Sequence, residues 1–153
     1  MARLINRAAT LEDVSLLAQM NKRLIEDERA RNPMNVLQLE RRMRSWLENG
    51  EYQGELFERD GEPVAYALYH LRPDRYFPEQ TVAYIHHFYV ERAYRRQGLG
   101  REALRLLTAT RFPAGCTVAV SVLAANPGGY QFWATMGFQP YQTEMKIERE
   151  ELL

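Results

Sequence analysis

The sequence predicts a mixed α/β domain in which about four helices flank a mostly antiparallel sheet of six to seven strands. Three observations lead there. The 153 residues amount to about one domain and contain no repeat or linker. A composition of 46% hydrophobic and 26% charged residues is typical of a globular protein. Segments with helical and strand periodicity alternate at short spacing. We expect one domain over residues 1–153, with one parallel strand pair near the middle of the sheet.

A short apolar start at Leu4-Ile5 is followed by an amphipathic helix. Thr10-Leu11-Glu12-Asp13 is a capping-box pattern, and it predicts a helix that runs to about Arg29. At one hundred degrees per residue, Asn21 falls in the middle of its apolar stripe and Glu28 falls close to it. Both polar side chains should therefore point inward.

A second helix is predicted over residues 36–48. It lies between a break at Arg31-Asn32-Pro33 and a stop at Asn49-Gly50. The Arg41-Arg42-x-Arg44 run should form the solvent face of this helix.

Three strands follow the second helix. Residues 52–59 and 63–71 flank Asp60-Gly61, which is a strong hairpin signal. After a loop over residues 72–78, residues 81–90 are rich in aromatic and β-branched side chains and predict the next strand.

The last part of the chain alternates again between helices and strands. A helix should follow the Arg-Gly segment at residues 95–100. Residues 117–123 are almost continuously apolar, so both faces of that strand should be covered. Asn126 can cap a short helix with Pro127 at its first position, and Gly137 can end it. Residues 138–147 can supply one or two closing strands.

Charge and cysteine content exclude several classes of function. Lys plus Arg and Asp plus Glu both number 20, and this zero net charge argues against a nucleic-acid binder. The single cysteine, Cys116, cannot form an internal disulfide and suits a cytoplasmic location. The start, residues 1–7, lacks the apolar core of a signal peptide, and no apolar run could span a membrane. Cys and His residues lack metal-ligand spacing, so no metal is expected.

The sharpest local signal is the segment Arg95-Arg96-Gln97-Gly98-Leu99-Gly100 between a strand and a helix. Backbone N–H groups at a helix start are unsatisfied and attract anions, and glycines let a phosphate approach closely. Arg95, Arg96 and Arg101 add positive charge. The Walker and dinucleotide fingerprints are both absent. A glycine-rich turn with solvated arginines remains the alternative.

Arg95-x-x-Gly98-x-Gly100, after the strand at residues 85–90, resembles motif A of the GNAT N-acetyltransferases. Asn126, Phe132-Trp133 and Gly137-Phe138 resemble motif B of the same superfamily. The order of elements also fits, over nearly the whole chain. The resemblance implies the GNAT acyltransferase fold and acetyl-CoA as co-substrate.

The resemblance also assigns roles to particular residues. The backbone at residues 88–90 should pair with the pantetheine arm, and the amide near Tyr89 should stabilise an oxyanion. The amides from Arg96 to Arg101 should hold the pyrophosphate, and Asn126 should meet the pantetheine or the acceptor side. The expected cofactor-binding residues are Phe88, Tyr89, Val90, Arg95, Arg96, Gln97, Gly98, Leu99, Gly100, Arg101, Asn126 and Trp133. The two central strands should splay apart to admit the cofactor.

One position departs from the pattern. Many relatives carry a tyrosine after the motif B phenylalanine, and it protonates the departing thiolate, whereas this chain has Trp133. An indole N–H is not a useful acid. Tyr130, one helical turn earlier, is the candidate substitute, and a packing role for its ring is the alternative.

The general base should come from the strand before the loop. His86 is preferred because histidine titrates near neutral pH. Strand alternation should send His86 and His87 to opposite faces, unless a bulge intervenes. A structural role is the alternative for both, and the favoured one for His87.

The acceptor site should involve Glu28, which could bind a cationic amine, and Tyr84, which shares a strand face with His86. A solvent-exposed helix end is the alternative for Glu28. The expected activity is transfer of an acetyl group to a primary amine of a small molecule or peptide, by direct attack in a ternary complex. The alternatives are a catalytically weak acyl-CoA-binding module, acting as sensor or scaffold, and a nucleotide-phosphate binder. A homodimer is compatible with the sequence.

Overall fold

The computed structural model describes residues 3–153, so residues 1 and 2 of the start analysed above lie outside the described part. Its five strands and four α-helices alternate along the chain. The strands are β1 (Leu4–Ala8), β2 (Gln53–Arg59), β3 (Glu62–Pro73), β4 (Thr81–Val90) and β5 (Thr117–Val120). The helices are α1 (Val14–Glu28), α2 (Val36–Glu48), α3 (Leu99–Arg111) and α4 (Pro127–Thr135).

The strands form one sheet in the order β1-β2-β3-β4-β5. All neighbours are antiparallel except β4 and β5, which are parallel. The predicted mixed α/β fold is confirmed. Two details differ: the sheet of the described chain has five strands rather than six to seven, and the parallel pair lies at its edge rather than near its middle. Both differences arise because residues 138–148 form no strand.

Helices cover both faces of the sheet. On one face α1 and α2 bury a cluster that includes Leu17, Met43 and Tyr66. On the other face α3 packs on Phe57, and residues of α4 pack against the same cluster. A residue on β3 or β4 therefore faces either the α1–α2 pair or the α3–α4 pair.

Local signals fixed the helix boundaries as predicted. Thr10 and Asp13 form a capping box at a 3-10 turn that leads into α1, and Arg29 ends α1 in a left-handed conformation. Asn126 caps α4 by accepting the Gly129 N–H at 3.0 Å. Gly137 follows α4 with a φ of 103°.

The prediction that residues 117–123 are covered on both faces is wrong. β5 is only four residues long and lies at the edge of the sheet, and its last three residues are only partly buried. Within residues 3–153, no helix is long and apolar enough to cross a membrane.

Candidate active-site cleft

A bulge in β4 sets the geometry of the site. Leu68 of β3 pairs with His87, but the next residue, Tyr69, pairs with Ile85, so His86 is an extra residue in β4. The bulge turns both histidine rings toward α2, where each lies edge-on to Trp46. The expectation that the rings point to opposite faces applied to a strand without a bulge, and the bulge overturns it.

The outer edge of β4 is open beyond the bulge. Pairing with β5 ends at Ile85 and Val120, so residues 86–90 have no strand neighbour on that side within the described chain. The N–H of Glu91 donates to the Val64 carbonyl of β3 at 2.8 Å. Since neighbouring residues of a strand alternate, the N–H groups of Phe88 and Val90 face the open edge, and that of Tyr89 faces β3. The amides that are free to meet a ligand at this edge are therefore those of Phe88 and Val90, on either side of Tyr89.

A cavity of about 850 Å³ lies along this open edge, between β4, the loop before α3, the end of α1 and α4. Many residues singled out from the sequence line it. These are Glu28, Phe88, Tyr89, Val90, Arg95, Arg96, Gly98, Leu99, Gly100, Arg101, Asn126 and Trp133. Four other candidates do not line it: Tyr84, His86, Gln97 and Tyr130.

The loop before α3 needs its glycines for different reasons. Gly98 stands at the start of α3 with a φ of 77°, a left-handed conformation that favours glycine. A Cβ atom at Gly98 would meet no atom within 4 Å, so the space beside it is open. At Gly100, by contrast, a Cβ atom would come within 2.8 Å of the Phe132 ring. Gly100 therefore allows α3 and α4 to approach closely.

Arg95 is held in place by a carboxylate near the end of α1. Its guanidinium pairs with Asp27 and donates from Nε to the Val90 carbonyl at 2.8 Å. Arg92 also donates to Asp27, at 2.8 Å. Burial alone would raise the pKa of Asp27, but the bonds from Arg95 and Arg92 hold that pKa below its usual value. The charge on Arg95 is thus partly neutralised, which leaves Arg96 and Arg101 as the cavity's other lining cations.

Aromatic rings form the wall on the α4 side. Phe88 stacks on Phe132 with 5.9 Å between centroids, and Trp133 lies 5.5 Å from Phe88. Trp133 also contacts Phe138 edge-on at 5.0 Å. Trp133, at the position where the sequence resemblance leads us to expect a tyrosine, is therefore part of this packed wall.

Glu28 is the distinctive carboxylate of the cavity. It lies near the end of α1, is partly buried, and has no hydrogen-bond or ion-pair partner within residues 3–153. Burial, reinforced by the neighbouring charge of Asp27, raises its pKa. An unpaired carboxylate of this kind can bind a cation or accept a proton.

His86 lies within a stack of rings rather than on the cavity wall. It is parallel to Tyr52 at 4.6 Å and to His87 at 4.6 Å. Burial lowers its pKa, and the charge of Arg42 lowers it further.

His87 is buried, and its Nδ1 lies 3.1 Å from the Tyr66 hydroxyl. Burial, together with the adjacent His86, lowers the pKa of His87 well below its usual value. Its surroundings fit the structural role favoured from the sequence.

The remaining candidates lie outside the cavity lining. Tyr84 donates to the Ser121 hydroxyl at 2.9 Å. The Tyr130 side chain is half exposed on α4. Gln97 accepts a hydrogen bond from Arg59 at 3.1 Å.

Sequence reasoning missed two further polar residues near the site. Arg42, expected on the solvent face, is partly buried, donates to Asn21 at 3.2 Å and lies 4.4 Å over the Trp46 ring. Arg23 pairs with Glu91 at 3.0 Å beside the buried Tyr89 hydroxyl, which makes no well-formed hydrogen bond. Both arginines fall on helix faces adjoining the apolar stripe, which is the signal that could have indicated them. The described residues contain no group of three or more side chains arranged to hold a metal ion.

Comparisons with known proteins bear on the family and on the fold. The profile of the Acetyltransferase (GNAT) family matches residues 20–138. A search of curated proteins found no match.

Solved structures share the fold at low identity. A "possible acetyltransferase" from Clostridium difficile 630 has a TM-score of 0.78 at 14% identity, with 95% of this chain and 97% of that chain covered. A predicted acetyltransferase with acetyl-CoA from Clostridium acetobutylicum has a TM-score of 0.73 at 21% identity, covering 97% and 98%. An aminoglycoside N-acetyltransferase in complex with CoA has a TM-score of 0.76 at 12% identity, covering 97% and 96%.

Proposed function

Because the chain belongs to the Acetyltransferase (GNAT) family, we propose that it transfers an acetyl group from acetyl-CoA to a primary amine by direct attack in a ternary complex. The observation that carries this proposal is that the open edge of β4, the Arg-Gly loop and Glu28 all line one cavity. The acceptor is a small-molecule or peptide amine.

The residues around the cavity fit acetyl-CoA. The outward N–H groups of Phe88 and Val90 can pair with the amide groups of the pantetheine arm, as an added strand would. The amides at the start of α3, with Arg96 and Arg101, suit the pyrophosphate. Two structural neighbours carry acetyl-CoA or CoA in their own structures. When bound, acetyl-CoA supplies a thioester whose carbonyl carbon accepts the amine.

Glu28 is the residue that we assign to the acceptor. An amine bound as an ammonium ion would neutralise the unpaired carboxylate, and attack requires that the amine then lose a proton. A carboxylate with a raised pKa holds that proton more strongly than an ordinary one. We therefore propose Glu28 as the amine-binding group and proton acceptor, in preference to the base expected from the sequence, His86, which stacks between Tyr52 and His87 outside the cavity lining.

The departing thiolate needs no tyrosine in this proposal. Trp133 packs in the aromatic wall, and the Tyr130 hydroxyl lies on an exposed side chain outside the cavity lining. Since the thiolate of CoA is a tolerable leaving group near neutral pH, solvent can protonate it. Replacement of Tyr130 by phenylalanine should accordingly leave turnover almost unchanged.

Titration calorimetry with acetyl-CoA tests the cofactor assignment, with a matched pair of glycine variants. Gly98 and Gly61 have φ angles of 77° and 78°, and a Cβ atom at either meets nothing within 4 Å. Gly98→Glu should weaken acetyl-CoA binding because it places a negative charge beside the pyrophosphate site. Gly61→Glu, in the remote β2–β3 turn, strains the backbone equally and should not. Equal affinity in both variants would contradict the loop assignment.

A turnover assay distinguishes an enzyme from an acyl-CoA-binding module. The absence of the motif B tyrosine is the observation that favours the module. Continuous CoA release with a panel of cationic amines supports the enzyme. Tight acetyl-CoA binding with no release for any amine supports the module. Competition by ATP against acetyl-CoA would instead indicate a general nucleotide-phosphate site.

A further inference from the structure

Arg42 of α2 is a partly buried cation without an acidic partner. Its guanidinium donates to Asn21 Oδ1 at 3.2 Å and lies 4.4 Å from the centroid of the Trp46 ring, but it forms no ion pair within residues 3–153. The Nε of Arg42 and the amide nitrogen of Asn21 are buried and find no acceptor in the described chain. Burial lowers the pKa of Arg42, as expected for a charge held away from water. Because the unpaired atoms are all donors, this position favours an anion.

Glu28 is an unpaired charge of the opposite sign on the same side of α1. Asn21, which holds Arg42, and Glu28 are two helical turns apart, so they share one face of α1 at a spacing of about 10 Å along its axis. Leu24 lies between them and lines the same cavity as Glu28. The cavity wall therefore comes within one helical turn of Asn21, and Arg42 lies directly beyond that wall.

The two charges act on one buried hydroxyl, that of Tyr66. Burial raises the pKa of Tyr66 well above its usual value, the charge of Glu28 raises it further, and the charge of Arg42 lowers it. Glu28 and Arg42 are thus close enough to influence the same group, yet they form no ion pair with each other. A partly buried charge without a counter-ion is unfavourable. A ligand with a positive group at one end and a negative group at the other would neutralise both residues.

We propose that the amine acceptor is a zwitterion whose ammonium group binds Glu28 and whose carboxylate binds Arg42. Amino acids and short peptides with a free carboxylate share this chemistry. The planar guanidinium of Arg42 can donate to both carboxylate oxygens, and Asn21 and Trp46 restrict its orientation. An amine without an acidic group would leave Arg42 unpaired and should be a poorer acceptor. This inference rests on the proposed function, because it names the class of amine that the acceptor site takes.

Turnover of matched acceptors tests the role of Arg42. The probes are glycine, β-alanine and glycylglycine, each compared with its carboxamide at equal concentrations of free amine. For the best carboxylate, the ratio of its kcat/KM to that of its amide should fall by about tenfold or more in Arg42→Gln, because charge-assisted hydrogen bonds are lost. Comparing this ratio between variant and wild type cancels the difference in basicity within each pair. Arg42→Lys keeps the charge and should retain part of the ratio, and Arg41→Gln, at an exposed position of the same helix, should retain all of it.

Two results would overturn the zwitterion while leaving acetyl transfer intact. The first is a wild type that acetylates amides or simple monoamines and prefers none of the carboxylates, a result that needs no variant. The second is an unchanged ratio in an Arg42→Gln variant that keeps the circular dichroism spectrum and the acetyl-CoA affinity of the wild type.

Turnover of no amine at all would instead contradict the proposed function. Calorimetry of the CoA-loaded protein with glycylglycine and with its amide then decides the zwitterion site separately. Binding that requires the carboxylate and is lost in Arg42→Gln supports the site. Equal binding of both compounds, or binding of neither, overturns it.

Discussion

Two adjacent carboxylates at the end of α1 have opposite surroundings. Asp27 accepts hydrogen bonds from Arg92 and Arg95, and its pKa is lowered. Glu28 lines the cavity without a cationic partner in the described chain, and its pKa is raised by burial. Groups whose environments push their pKa values apart commonly divide structural and chemical roles between them. Asp27 thus fixes the loop arginine, whereas Glu28 is the carboxylate that we propose for the amine.

The first prediction concerns Glu28→Gln. The amide cannot accept the ammonium proton, so kcat/KM for an amine should fall by about a hundredfold or more, while acetyl-CoA affinity stays unchanged. Because the raised pKa of Glu28 governs its ionisation, wild-type activity should be lost as pH falls through that pKa, and the variant should lack this acid limb. Steady-state kinetics across pH measures both effects. Glu26→Gln, on the exposed side of the same turn, is the control.

The opposite result is equally informative. An unchanged acid limb in Glu28→Gln would show that another group accepts the proton. Loss of acetyl-CoA binding in the same variant would show that the carboxylate supports the cofactor side of the cavity instead.

The second prediction concerns His86→Phe. Phenylalanine keeps a flat ring against Tyr52 and His87 but cannot take a proton, so packing and proton transfer are separated. We expect the variant to keep the pH profile of kcat/KM, because His86 lies outside the cavity lining. Turnover that is lost at neutral pH and returns at higher pH, where the free amine needs no base, would restore His86 as the base.

The orientation of these histidines could not be predicted from the sequence. The pattern of residues 81–90 is the same whether or not a bulge is present, and the bulge exists only through pairing with β3. The position of the Arg-Gly loop before α3 was easier to predict, because it depends on a local helix start and its glycines. The role of Asp27 was missed because it depends on hydrogen bonds from two arginines, which lie more than sixty residues away in the sequence.

At the level of elements, an ion pair between the exposed Arg111 and a buried carboxylate joins α3 to the sheet. Glu55 of β2 is fully buried, and it accepts hydrogen bonds from Arg111 at 2.9 Å and from Asn6 of β1 at 2.6 Å. A carboxylate with no exposure needs such partners, since an isolated buried charge is costly. The contact fixes the end of α3, and the Arg-Gly loop directly precedes the start of the same helix.

The third prediction follows from this contact. Arg111→Ala leaves Glu55 buried with one donor fewer and without its cation, so the free energy of unfolding should fall by about 3 kcal/mol. Urea denaturation measures this loss. Arg105→Ala removes an exposed arginine of the same helix and should change stability by less than about 0.5 kcal/mol. A similar loss of unfolding free energy in both variants would mean that the ion pair of Arg111 with Glu55 adds nothing beyond the effect of replacing any arginine of this helix.

Helices were predicted more accurately than strands for a physical reason. The bounds of α2 and the end of α1 follow from caps and apolar periodicity within one segment, and the structure has them where the sequence predicts. Whether a strand forms depends on a partner. Within the described residues, 138–147 have strand periodicity but pair with no strand, and β5 ends early at the edge of the sheet.

At the scale of the whole molecule, the three histidines lie close together on one side of the sheet. His86 stacks against His87 at 4.6 Å, and Tyr52 stacks against both His86 and His70. The pKa of each histidine is lowered, chiefly by burial. As pH falls, the histidines of the unfolded chain, with a pKa of about 6.5, therefore become protonated before those of the folded chain.

The fourth prediction is that the protein loses stability as pH falls below about 6.5. In that range the unfolded state binds more protons than the folded state, so each histidine can lower the free energy of unfolding by up to about 1.4 kcal/mol per pH unit. The raised pKa of Glu28 acts with the opposite sign, because the folded state takes up that proton first. Urea denaturation at several pH values measures the slope. His87→Phe, which removes the most buried of the three imidazoles, should flatten it more than His70→Phe does. Equal slopes in these two variants would place the acid sensitivity in another part of the molecule.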